Sequence, residues 1–87
     1  MIKLKVHDKT LSKMSDIDKF FLVPKKQWEY FPLGENVLLI DGQTVKIWIH
    51  DIPCECSQEL HYHRIADLRE VWENFKMTNG QEIKVDK

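Results

Sequence analysis

Asn36-Val37-Leu38-Leu39-Ile40-Asp41-Gly42-Gln43-Thr44-Val45-Lys46-Ile47-Trp48-Ile49-His50 decides the fold class. Two β-prone runs, residues 36–40 and 44–49, flank an Asp-Gly dipeptide. That pattern is the strongest short-range signal for a β-hairpin, because a two-residue turn of the favoured hand needs positive φ at both central positions. Val45, Ile47 and Ile49 alternate with Lys46, Trp48 and His50, so one face belongs to a core while the other carries an aromatic ring and two potentially cationic groups.

Working outward from the hairpin, Ile2, Leu4 and Val6 alternate with Lys3, Lys5 and His7, the period of a half-buried strand. Residues 10–19 are polar with spaced apolar positions and read as a loop or one short helical turn. Phe20-Phe21-Leu22-Val23 is a short strand stopped by Pro24, which suits the start of a helix. Trp28 and Phe31 then share one face of a two-turn helix that Pro32 ends. On the other side, residues 51–59 read as an irregular excursion and residues 60–64 as a returning strand. Asp67 as N-cap, with Glu70 three residues on and Leu68, Val71, Trp72 and Phe75 at helical spacing, predicts an amphipathic helix. Asn79-Gly80 makes a turn and residues 82–85 a closing strand. The chain is therefore expected to be mainly β with short helices.

Eighty-seven residues suffice for one core and not two, so residues 1–87 are taken as a single domain. Nine aromatic residues must do much of the packing, and Trp28, Trp48 and Trp72 are core candidates first, Trp48 least so. No apolar run approaches the roughly 18 residues of a membrane span, and the first residues do not read as a signal peptide, which points to the cytoplasm. Cys54 and Cys56 lie too close for an unstrained intrachain disulfide. A net charge of -1 conceals an asymmetry: residues 1–26 carry +4 and residues 27–87 carry -5.

Two stretches repeat one plan: strand, helix with aromatics, glycine and strand, over residues 20–40 and again over residues 60–85. Such duplication around a hairpin suits a closed barrel of pseudo-twofold organisation, which removes exposed sheet edges. Leu11-Ser12-Lys13-Met14-Ser15-Asp16-Ile17 followed by Phe20-Phe21-Leu22-Val23-Pro24-Lys25, then Phe31-Pro32-Leu33, residues 42–48 and residues 68–75, together resemble the B3-like DNA-binding pseudobarrel of plant B3 domains and restriction endonuclease effector domains. Lys19 stands where that family usually has an arginine, and the second half is acidic rather than basic. The resemblance implies a pseudobarrel of about six to seven strands with two short helices. It also implies a non-catalytic, sequence-specific module that grips the major groove of double-stranded DNA with two arms, around residues 12–19 and 50–64, for regulation or beside a nuclease or other effector domain. The residues it marks for DNA are Lys13, Ser15, Asp16 and Lys19 in the first arm and His50, Gln58, His61 and Arg64 in the second. A similar strand-Pro-helix-Gly-strand unit occurs in dimeric swapped-hairpin antitoxins, the structural rival.

One signal owes nothing to resemblance. Cys54, Cys56, His61 and His63 place two thiols and two imidazoles within ten residues. On extended strands i and i+2 side chains share a face, so a hairpin pairing Cys54 with His63 and Cys56 with His61 would offer zinc four ligands. A zinc-stabilised protein-interaction domain is thus the alternative to a cofactor-free DNA-binding one. A cysteine nucleophile with a histidine base is chemically conceivable, but no oxyanion-hole motif, third orienting group or Gly-rich phosphate loop accompanies it.

Overall fold

Alternating apolar side chains give six strands among the described residues: β1 (Ile2–Asp8), β2 (Lys19–Leu22), β3 (Gly34–Ile40), β4 (Gln43–Cys54), β5 (His61–Asp67) and β6 (Glu82–Asp86). They come from a computed structural model that describes residues 2–10, 16–54 and 61–87. All neighbours are antiparallel and the sheet closes on itself in the order β1-β2-β5-β4-β3-β6. The duplicated plan is visible in that order. The two strand-crossing-strand units put β2 beside β5 and β3 beside β6, and each unit enters its second strand just after or at a glycine with positive φ, Gly34 at 101° and Gly80 at 83°.

The Asp41-Gly42 hairpin forms as expected, with φ of 49° and 84° at its two central residues. The Asp41 carboxylate accepts the backbone N–H of Lys84, tying the turn to β6. Inside the barrel, Val6, Phe21, Leu38, Ile40, Ile47, Ile49, Ala66, Ile83 and Val85 are all buried. At about 25 cal/mol per Å² of apolar surface, each large side chain of this set contributes roughly 1.5–3 kcal/mol. Asn36 is the buried polar exception, and its amide donates to the carbonyls of Pro32 and Gly34.

Both predicted helices come out differently. Lys25–Tyr30 is a 3-10 helix, held at its end by the Phe31 N–H donating to the Trp28 carbonyl. Residues 69–76 form consecutive turns, not an α-helix. Trp72 and Phe75 donate to the carbonyls of Leu68 and Val71 four residues back, but Lys76 bonds three back, Met77 five back, and Lys76 takes a φ of 51°. The segment has too few residues to offset helix nucleation, and Val71, Trp72, Asn74 and Phe75 are weak helix formers. Burial of Leu68, Trp72 and Met77 holds it instead. Because β2 and β5 run in opposite directions, these two segments close opposite mouths of the barrel. Asp67 ends β5, and its carboxylate accepts the N–H of Arg69.

A further difference positions the candidate site. Residues 51–54 continue β4 as regular strand, where an irregular excursion was expected. β3 stops pairing at Ile49 and β2 at Ile65, so beyond those points β4 and β5 pair only with each other. They leave the barrel as a two-stranded ribbon. No helix among the described residues is long and apolar enough to cross a membrane.

Candidate functional site

Opposed residues of an antiparallel pair share a face, and the register therefore defines one outer wall over β1, β2, β5 and β4. Its first row runs His7, Phe20, Asp67, Trp48; the next Leu22, Ile65, His50; then His63 with Ile52; and at the ribbon His61 with Cys54. All four histidines of the chain lie on this wall. Phe20, Ile52 and Ile65 are buried although they face outward, because Ile17 from the β1–β2 connection packs over them beside Leu22. The connection carrying the first arm and the strands carrying the second thus meet on one side of the barrel. Trp48 stays 51% exposed, with the His50 ring 6.0 Å away.

Arg64 faces the other way. Its guanidinium grips Asp51 with two bonds, Nε to Oδ1 at 2.9 Å and Nη2 to Oδ2 at 3.1 Å. Its Nη1 donates to the carbonyls of Trp28 and Phe31, and its carbon lies 4.6 Å from the Trp28 ring centroid. The hydrogen bond that Arg64 donates to Asp51 raises the Arg64 pKa further, against the effect of burial. Trp28 in turn donates its indole N–H to Val23, whose own N–H donates to Arg64. This clasp fixes the root of the ribbon to the 3-10 helix, a positioning role for Arg64 distinct from the base contact expected of it.

Cations beside the wall are also matched. Lys19 lies 3.6 Å from Asp8 and 3.4 Å from Asp18, and Arg69 pairs with Asp67 at 2.8 Å and Asp16 at 3.6 Å. Burial alone would push the Asp67 carboxyl up, but bonds from the Arg69 side chain and backbone, and the charges of Arg69 and His50, hold it below the ordinary range. His7 is lowered by burial and by Lys9 and Lys5. By contrast Lys3, Lys5 and Lys84 share the exposed outside of β1 and β6 with Glu82, Lys3 standing directly opposite Lys84 and Lys5 opposite Glu82. Since Lys3, Lys5 and His7 are successive outward positions of β1, this lysine strip borders the histidine wall. It was missed in the sequence because only pairing brings Lys84 to the N-terminal lysines.

Lys13, Ser15, Gln58 and Cys56 lie outside the described residues. Of the remaining sequence-selected residues, His50 and His61 are on the wall and Asp16 lies beside it, paired with Arg69, whereas Lys19 has the inward parity of Phe21 and, like Arg64, faces the other way. The pairing expected for the thiol–imidazole cluster is corrected. Cys54 opposes His61, not His63, and Ile52 opposes His63. The register is set in the barrel, where Ile49 must oppose Ala66 for both to be buried, and the ribbon inherits it. A displacement of two residues leaves every side chain on its face, so Cys54, His61 and His63 still converge. One ligand atom from each lies within 4.8 Å of the others, and the two Nε2 atoms are 3.3 Å apart.

No protein-family model, curated protein or solved structure matches the chain.

Proposed function

We propose that this chain is a non-catalytic module that binds double-stranded DNA, with the β4–β5 ribbon entering the major groove and the neighbouring lysine strip meeting phosphates. The carrying observation is that, among the described residues, Ile17 of the first sequence-selected region packs against Ile52 and Ile65 on the wall that carries His50, His61 and His63 of the second. A two-stranded ribbon is one of the two elements the major groove of B-DNA admits. Trp48 offers an exposed apolar contact and half-buried His50 a hydrogen-bonding one, while Lys3, Lys5 and Lys84, with Glu82 among them, supply positive charge; Lys19, Arg64 and Arg69 are held in ion pairs. The B3-like resemblance leads to the same ligand.

Titration of labelled duplexes at rising salt tests this. Three phosphate contacts give a log–log slope near about -3, and Lys84→Gln reduces its magnitude by about 1. Binding that is absent, or insensitive to salt, refutes the proposal. The ion-paired carboxylates of the wall favour a protein partner as the alternative; binding of a protein at Trp48 with no duplex binding would establish it.

A further inference from the structure

We propose that Cys54, His61 and His63 form a binding site for a zinc-class divalent metal ion, with one thiolate sulfur and two imidazole nitrogens as protein ligands. The proposal stands apart from DNA binding. Two nitrogens about 2.05 Å from a tetrahedral zinc are about 3.3 Å from each other, and the two Nε2 atoms are 3.3 Å apart. A hydrogen bond between two neutral rings would also give that separation, but the Cys54 sulfur, placed opposite His61 by the register, adds a third metal-ligating atom within 4.8 Å of both nitrogens.

Position supports the assignment as well. Cys54 is buried beside Ile52, which limits competing solvent at the sulfur, whereas both histidines border a groove of about 280 Å³ lined also by Leu22, Val23, Trp28 and Lys25, a route for the ion. The ligands stand on paired strands whose register the barrel dictates and whose root the Arg64–Asp51 clasp holds. The donors are therefore largely oriented before the ion arrives. On binding, the Cys54 thiol releases its proton to solvent and both rings coordinate in the neutral form, so two positive charges meet one negative. Three protein ligands leave a fourth position for water or another donor.

The full chain, stripped with chelator, is titrated with zinc alone and separately with cobalt(II). Free zinc at about a hundredfold excess over Kd raises Tm by roughly 10–20 °C, and cobalt gives a thiolate charge-transfer band with the intense visible bands of tetrahedral coordination. Cys54→Ser removes the charge-transfer band, and His63→Gln weakens zinc affinity by more than the roughly 10- to 100-fold typical of an outer-shell change. His63→Gln lies at a partly exposed site, and the Tm of its metal-free form, compared with that of the metal-free parent, separates lost ligation from lost folding. Absence of both zinc uptake and a cobalt spectrum overturns the proposal in favour of a histidine–histidine hydrogen bond. So does a charge-transfer band that survives Cys54→Ser and vanishes in Cys56→Ser.

Discussion

Replacing Arg64 with methionine keeps an unbranched apolar stem but removes the guanidinium that joins Asp51, Trp28 and Phe31. The Arg64 side chain is 15% exposed and that of Asp51 26%, so the pair is neither fully dry nor freely solvated. The paired bonds to Asp51 are worth about 2 kcal/mol in that setting, within the range for hydrogen bonds between charged groups. Stacking on the indole adds about 1 kcal/mol. A loss of about 3 kcal/mol lowers Tm of a domain this size by roughly 12–24 °C. Thermal unfolding followed by circular dichroism measures it, and a double-mutant cycle with Asp51→Asn isolates the pair at about 1–2 kcal/mol of coupling. Arg64→Lys does not restore stability, since an ammonium cannot form the two parallel bonds. A fall in Tm under about 4 °C, or a coupling indistinguishable from zero, refutes the clasp as the anchor of the ribbon.

Three other outcomes are expected. Ile17→Ala unseats the β1–β2 connection from Phe20, Ile52 and Ile65 and costs about 2 kcal/mol by chemical denaturation; an unchanged midpoint would show that the packing contributes nothing. The lowered pKa of His7 means that the unfolded chain binds its proton first, so this group's contribution is complete above its unfolded value near 6.5 and is lost as pH falls through the folded one. His7→Gln should flatten the Tm–pH curve in that window, and an identical curve would contradict the shift. Asp67, also lowered, contributes stability above its unfolded value and loses it as pH falls through its folded value. In Asp67→Asn the acid end of the unfolding profile should become shallower, and an unaltered acid limb would count against the Arg69 pairing.

Local chemistry made the Asp41-Gly42 hairpin and the period-two alternation of β1, β6 and the first part of β4 legible from residue types alone. The span over residues 68–75 misled because side chains at spacings of three and four satisfy a run of turns as well as a helix when Leu68 and Trp72 are anchored in a core. The thiol–imidazole convergence was readable because it depends only on strand parity. Its partner residues were not, since they follow from Ile49 meeting Ala66 across the barrel. The orientation of Arg64 was hidden for a related reason. Ile65 and Ala66 are both buried, one under Ile17 and one inside the barrel, so burial on both faces erases the alternation that would have told inward from outward.

The unequal reach of β4 and β5 beyond their neighbours has a consequence for how such a protein could diversify. Matched pairs of residues added to both strands above Asp51 and Arg64 would lengthen the projection without altering closure of the cylinder or the orientation of anything below. An unmatched single insertion would turn over the distal side chains of the strand that carries it, parting the sulfur on β4 from the imidazoles on β5. Arm length is therefore free to vary between descendants, but only in even increments.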